Sequence, residues 1–391
     1  MAGLACGNID DDNDFYGMAP LSSIAFVKLK DAKNMLKDFY GVERSIVCYQ
    51  ENDILTGVNY LVNIANSLSK PLVICIGLGT NMGDHNGYGF LGEYLGYVST
   101  QFGRCVCVAA GNEANVAHHY RNKMLSDDTY QDVLLRVGPA TKSFTMQMWT
   151  NAPDVMSVGF ISPIGEIYDR VPARINEGRV IRFTLEPTII NLDYFLFGQG
   201  VGDEQIDMRF VNATSGIWTI RIFNESIIDG TYDIWLPVTG LIPDDTVFLN
   251  PDYNVTVTEP GNNLPVITSA GYNYRDNSIY INSGRGNTRS GYQKPDITAG
   301  AVDVTGPANN DRYTVRSGTS AAAAITAGAA ALVMEWAIVR ENYLVMNGVV
   351  LRKYMIRGAR RSMLRDYPNT EWGYGTLDIY NTFINLVTGI R

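Results

Sequence analysis

The sequence predicts an α/β body, a parallel sheet flanked by helices, interrupted by an antiparallel β-sandwich. Three observations predict it. Short, almost wholly apolar runs alternate with helix-period segments up to about residue 110. Period-two alternation takes over from Val133 to about Glu259. Near Pro265 the chain returns to apolar strand, glycine-rich loop and helix. The expected units are residues 1–132 and 262–391 for the body and 133–261 for the sandwich.

Taken in order, Asp10-Asp11-Asp12-Asn13-Asp14 is an acidic loop. It opens like a calcium loop, but Phe15 stands where the turn glycine belongs and no closing Glu follows, so a solvated loop is expected. Ser23 to Leu29, with Ile24, Phe26 and Val27 apolar, reads as a strand. Asp53 to Lys70 carries Ile54, Leu55, Val58, Leu61, Val62, Ala65 and Leu68 at helical spacing. Pro71 to Ile76 is a strand buried on both faces, a second helix spans Phe90 to Phe102, and Cys105 to Ala110 is another buried strand. Strands and helices alternating at these lengths make a parallel sheet, whose ligands sit beyond the carboxyl ends of the strands.

The middle third alternates instead. Phe144 to Met148, Val180 to Phe183, Trp218 to Ile222 and Tyr232 to Trp235 are examples, separated by turns such as Glu177-Gly178, Asp229-Gly230 and Thr239-Gly240. Helices follow from Ala321 to Val339 and from Val345 to Arg360, and a last one begins at Leu377.

Composition narrows the functions. Across 391 residues, 46% apolar and 18% charged side chains make a globular profile. A net charge of −9 offers no basic stripe for nucleic acid. No uninterrupted apolar run of about 18 residues occurs, so no membrane span is expected. Cys6, Cys48, Cys75, Cys105 and Cys107, odd in number and without framework spacing, read as reduced, buried thiols.

Chemistry concentrates in three loops. Arg316-Ser317-Gly318-Thr319-Ser320 runs into an alanine-rich helix. One reading is a plain capped helix. The other puts the Ser320 hydroxyl at the positive end of a helix dipole, where negative charge developing on a substrate is favoured. Asn112, in Ala109-Ala110-Gly111-Asn112-Glu113, follows a buried strand and can offer its amide to an oxyanion. Gly77-Leu78-Gly79 leaves another strand and offers backbone groups to an extended peptide. A dinucleotide reading of Gly77 and Gly79 fails, because the third glycine and the following acidic residue are misplaced.

Together these loops resemble the subtilisin-like serine proteases, the subtilases. Gly318-Thr319-Ser320-Ala321-Ala322 is similar to the family's nucleophile motif, and Ala109 to Glu113 to its oxyanion motif. Leu78-Gly79 is similar to its substrate-pairing segment, Gly17-Met18-Ala19-Pro20 to its Gly-x-Ala-Pro, and Pro295-Asp296-Ile297 to the run before its serine. Tyr374-Gly375 with Asp378 resembles the entry to its final helix. The motifs stand in family order across residues 1–132 and 262–391. The inserted sandwich, jelly-roll-like by this resemblance, the stretch from Asn112 to His119 and the pair Glu335-Trp336 are similar to the clostridial Csp-type germination proteases.

The resemblance implies a subtilisin-like fold, peptide-bond hydrolysis through Ser320, oxyanion binding by Asn112 and substrate pairing along Gly77, Leu78 and Gly79. It implies a protein or peptide substrate, no obligatory cofactor or resident metal, and no nucleic-acid or membrane partner. Calcium is allowed, with no site identified. A bacterial cytoplasmic or spore-associated setting is expected.

Departures stand at Ala324, where the family has Pro, at Gly77, where Ser is usual, and at Gly300, where Pro is usual. Met1-Ala2-Gly3 aligns with the end of the family's His-Gly-Thr-x-Val-Ala-Gly motif. The catalytic His is therefore expected four residues ahead of Met1 and the Asp farther upstream, making the chain a fragment of a longer reading frame. His85, His118 and His119 read as loop or packing residues. Loss of the base costs such enzymes roughly six orders of magnitude in turnover, about 8 kcal/mol. The alternative is a pseudoprotease that binds peptides, a related protease or the missing segment.

Overall fold

The computed structural model describes residues 1–174, 178–196 and 202–389. In chain order, α1 (Ala2–Cys6), α2 (Asn34–Tyr40) and α3 (Glu51–Ser67) lead to β1 (Leu72–Ile76), α4 (Phe90–Thr100) and β2 (Arg104–Ala109). Antiparallel strands follow: β3 (His119–Lys123), β4 (Tyr130–Val137), β5 (Ser143–Thr150), β6 (Val155–Ile161), β7 (Ile167–Val171) and β8 (Gly178–Arg182). They continue as β9 (Ile189–Phe195), β10 (Glu204–Val211), β11 (Gly216–Ser226), β12 (Thr231–Trp235) and β13 (Val247–Phe248). The body resumes with β14 (Ile267–Tyr272), β15 (Ile297–Gly300) and the pair β16 (Val304–Ala308) and β17 (Arg312–Arg316). It ends on α5 (Thr319–Met334), α6 (Gly348–Gly358) and α7 (Ile379–Gly389).

Four of these strands form the parallel sheet, in the order β1-β2-β14-β15. Every residue of β2 is buried, as a strand covered on both faces must be. Its side chains divide by parity. Val106 and Val108 join Val58 of α3 and Leu91, Leu95 and Val98 of α4 on one face. Cys105 and Cys107 meet the alanines of α5 and residues of α6 and α7 on the other. Small side chains along α5 let it lie close against the sheet. Together with the π-turn Glu335–Val339, α5 is long and apolar enough to cross a bilayer, but most of it is buried here as a core helix. All five cysteines are free thiols, but only Cys105 and Cys107 are buried as expected; Cys6, Cys48 and Cys75 are half-buried.

Lys294 and Asp296 lie side by side under β15, 2.9 Å apart, and Asp296 also accepts from Arg352 and from the backbone N–H of Thr268 in β14. Burial alone would raise the Asp296 carboxyl, but the two cations hold it below its ordinary value. The Pro295-Asp296-Ile297 motif thus fastens β15 to β14.

The antiparallel strands form a six-stranded sheet, β3-β12-β5-β10-β9-β8, and a five-stranded sheet, β13-β4-β11-β6-β7. Side chains from both fill one apolar cluster. Strand β10 shows the rule: Glu204, Ile206, Met208 and Phe210 are buried and the residues between them less so. Phe210 stacks on Phe144 at 4.7 Å and meets Trp218 edge-on at 5.4 Å.

Three expectations need correction. Ser23 to Leu29 is extended but not a strand: among the described residues it has no ladder partner and runs along α3. Val27 packs on Gly57, Lys70 Nζ donates to Ser23 Oγ at 2.9 Å, and Phe26 stays 74% exposed. Alternating apolar residues mark a strand only where another strand lies alongside. The antiparallel sheets also begin at His119, before residue 133, because His-Tyr-Arg-Asn-Lys is a polar strand with no apolar alternation. Finally, α6 starts at Gly348, not Val345, since the Asn347 side chain caps it by accepting from Val350 N–H. Glu177 of the expected Glu177-Gly178 turn lies outside the described residues.

Candidate active site

The C-terminal ends of β1 and β2 and the start of α5 deliver three loops to one place. At the helix start Gly318 adopts φ 150°, ψ 152°, a conformation open to glycine, and its N–H donates to Ala301 O at 2.8 Å. This turn sets Ser320 in the first turn of α5, where backbone N–H groups have no partner within the helix. Ser320 Oγ donates to Gly77 O at 3.1 Å, which joins the hydroxyl to the loop leaving β1.

Asn112 reaches the same place from β2. Its Oδ1 accepts from Thr319 N–H at 3.0 Å and faces Thr319 Oγ1 at 3.2 Å. The orientation of a carboxamide follows from its partners. With the Thr319 N–H on Oδ1, the Nδ2 end is left without a protein partner among the described residues, 3.6 Å from where a Gly318 Cβ would lie, about as far as Oδ1 at 3.7 Å. The Thr319 hydroxyl also donates to Gly111 O at 3.1 Å, so the residue beside the serine braces the whole Gly111-Asn112 turn.

Gly77, Leu78 and Gly79 form the third side. Leu78 and Gly79 are exposed, and among the described residues neither has a backbone hydrogen-bond partner. The next residue is fixed: Thr80 and Glu259 exchange two backbone hydrogen bonds at 2.9 and 3.0 Å. Gly79 and Gly111 both face Thr258, which is 3% exposed and lies where a Cβ on either glycine would go. The two loops are thus walls of a cleft with Thr258 between them.

All the residues singled out from the sequence for this chemistry, Ser320, Asn112, Gly77, Leu78 and Gly79, therefore come together. Thr319, Thr258 and Glu113 were passed over. Thr319 and Glu113 lay inside the quoted motifs and could have been questioned there; nothing in the pattern around Thr258 marks it.

The histidines sit elsewhere. His85 is fully buried, stacks on Trp235 at 3.9 Å, and directs its ring nitrogens at Val257 O and Asn81 O. Burial pushes it down to about 3. His119 also stacks on Trp235 and pairs with Asp233 at 2.9 Å. His118 Nδ1 donates to Glu113 at 3.0 Å. No hydrogen bond joins any of them to Ser320 among the described residues.

Asp10 turns its carboxylate to Asn13 N–H and to the Tyr313 hydroxyl at 2.6 Å. Among the described residues no group of three or more His, Cys, Asp or Glu side chains is placed to hold a metal ion.

Residues 1–375 match the subtilase family, peptidase S8. The fold is similar to that of the CspB protease of Clostridium perfringens, 31% identical, with a TM-score of 0.87 over 99% of this chain and 79% of that one. The prenylagaramide maturation protease PagA, 23% identical, gives a TM-score of 0.29 over 33% of this chain and 46% of that one. The patellamide maturation protease PatA, also 23% identical, gives 0.27 over 32% and 43%. Likeness at that level carries no weight here. No curated protein sequence matches the chain.

Proposed function

We propose that this chain, which belongs to the subtilase family and is by that membership a serine protease, hydrolyses peptide bonds through an acyl-enzyme on Ser320 when a histidine and an aspartate complete its site. One observation carries the reading: Thr319 holds Oδ1 of Asn112, which leaves the amide N–H₂ for an oxygen at the Ser320 carbonyl site. Ser320 Oγ attacks the scissile carbonyl and loses its proton to the histidine. The oxyanion is held by the Asn112 amide and the Ser320 N–H; one such donor lowers a barrier by about 3–4 kcal/mol. The leaving amine takes the proton back, and water then releases the acyl group. Leu78 and Gly79, with their backbone groups free, pair with the substrate strand.

The side from which the base arrives is supported by α1. The residue ahead of it, Met1, packs its thioether on the bare Cα of Gly77, and a Cβ on that glycine would lie 3.0 Å from Ser320 Oγ. A histidine on the N-terminal side of Met1, where the family motif places it, is delivered to this spot. On the Csp-type resemblance we assign the enzyme to a bacterial cytoplasmic or spore-associated setting, cleaving a protein substrate in germination.

A reading without turnover, a peptide- or protein-binding pseudoprotease, is favoured by the engagement of all three histidines away from Ser320. Fusing the Asp- and His-bearing segment of the CspB protease ahead of Met1 decides between them. Cleavage of casein and labelling by a fluorophosphonate, both abolished by Ser320→Ala, are expected. A folded fusion that binds an extended peptide yet neither cleaves nor labels overturns hydrolysis in favour of binding.

A further inference from the structure

We infer that Glu113 is a positioning residue whose carboxylate links the oxyanion loop, the substrate-pairing loop and the antiparallel sheets, and so aims the Asn112 amide. The inference rests on the acyl-transfer reading above. Glu113 follows Asn112 directly and is 5% exposed. Its Oε2 accepts from His118 Nδ1 at 3.0 Å and from Asn81 Nδ2 at 3.3 Å, and both of its oxygens lie 3.2 Å from Thr239 N. Asn81 stands two residues past Gly79 and donates from the same amide nitrogen to Leu236 O at 3.0 Å. Thr239 and Leu236 follow β12, and His118 precedes β3. One buried side chain on the oxyanion wall therefore gathers donors from the other wall, at Asn81, and from the antiparallel unit, at His118 ahead of β3 and Thr239 after β12.

The loop needs such an anchor. Gly111, just before Asn112, adopts φ 90°, so the backbone there gains no rigidity from a side chain. Thr319 fixes the tip of Asn112, and the Gly111 carbonyl accepts from the Thr319 hydroxyl at 3.1 Å and from the Gly284 N–H at 2.8 Å, which ties the loop on the N-terminal side of Asn112. Glu113 ties it on the C-terminal side. A buried polar side chain is held only while donors surround it. The antiparallel sheets thereby become part of the cleft's frame.

The test uses the completed fusion described above. Glu113→Ala is expected to lower kcat about ten- to hundredfold, the cost of a reacting donor displaced by about an ångström. In an Asn112→Ala background the same substitution is expected to leave kcat unchanged, because the donor that it aims is already gone. Simple loosening of the fold would instead lower kcat in both backgrounds. Glu113→Gln keeps the volume and one acceptor oxygen, and it decides the matter if the alanine variant does not fold: a several-fold loss of kcat, again absent beside Asn112→Ala, is expected. Wild-type turnover from both Glu113 variants, or an undiminished loss in the Asn112→Ala background, overturns the inference. A wild-type fusion without turnover fails the acyl-transfer reading itself and is seen before any Glu113 variant is made.

Discussion

In the proposed mechanism the two ends of Asn112 have separate tasks. Oδ1 accepts from the N–H of buried Thr319 at 3.0 Å, and Nδ2 would be the donor to the oxyanion. Asn112→Ala removes both. Thr319 N–H is then left buried without an acceptor, which costs about 1–3 kcal/mol of stability. Asn112→Asp removes only the second: a carboxylate oxygen still accepts from Thr319, and its charge lies at the start of α5, which contributes roughly 0.3–1 kcal/mol in its favour. The donor has however become an acceptor facing the developing oxyanion, so turnover falls by at least the 10²–10³-fold, about 3–4 kcal/mol, that loss of one such donor costs. Guanidinium unfolding of this chain, which needs no activity, reads the first quantity. Steady-state cleavage by the completed fusion reads the second. The expected pattern is a destabilised Asn112→Ala, an Asn112→Asp as stable as wild type, and turnover lost in both. An Asn112→Ala that unfolds at the wild-type midpoint, or an Asn112→Asp that keeps turnover, refutes the assignment of the two ends.

Two further outcomes follow from the same coordinates. Gly79→Ala puts a Cβ 2.2 Å from Thr258 Oγ1, in a place where Thr258 has no room to yield, so it should cost about 1–3 kcal/mol in guanidinium unfolding and weaken binding of an extended peptide; Thr258→Gly in the same chain should restore both, and an unperturbed Gly79→Ala contradicts the cleft as described. Glu204, beneath β6, accepts from Met156 N–H at 2.8 Å, and burial pushes its carboxyl up from 4.5 to about 8. The folded protein therefore holds a proton that the unfolded chain releases: the stabilisation is full below pH 4.5 and is lost as pH rises to about 8, a fall of roughly 3–5 kcal/mol. Unfolding midpoints of Glu204→Gln across that range should fall less steeply, and a slope equal to wild type contradicts the shift.

The sheet was legible because its strands obey a simple constraint. Burial on both faces demands an unbroken apolar run, and Cys105–Ala109 meets it; Leu72–Ile76 is as apolar but stands at the end of the sheet order, where Ile74 and Ile76 are buried and Leu72, Val73 and Cys75 only half-buried. The helices α3 and α4 were legible from their periods. Where the reading failed, the missing information was a neighbour. Ser23 to Leu29 has a strand's alternation but nothing to pair with. His119–Lys123 has a strand's partner, Thr231–Trp235, but no alternation, because its first residue is buried through a hydrogen bond with Asp233. At the site, Ser320, Asn112 and Gly77 to Gly79 stood out by motif, yet their joints are made by residues whose types announce nothing. A threonine beside a nucleophile and a glutamate beside an oxyanion donor acquire roles only when the chain brings Asn112 to Thr319 and Asn81 to Glu113.

The placing of the antiparallel unit explains why those joints fall where they do. Strands β2 and β14 are parallel neighbours, with Cys107 opposite Ile267, so the chain between them must travel from the carboxyl end of one to the amino end of the other. A helix commonly makes that journey; here two sheets are threaded into it. The departure point is therefore the carboxyl end of β2, at Gly111, Asn112 and Glu113. The return path also crosses the cleft: Thr258 N–H donates to Ala110 O at 3.0 Å, and Glu259 pairs with Thr80, so the returning backbone lies between the two walls. An addition on an outer helix would touch neither wall. Because this one leaves and re-enters at the mouth of the site, and because packed interiors transmit displacement instead of absorbing it, a shift of the segments that precede β3 or follow β12 is expected to reach Asn112 through Glu113.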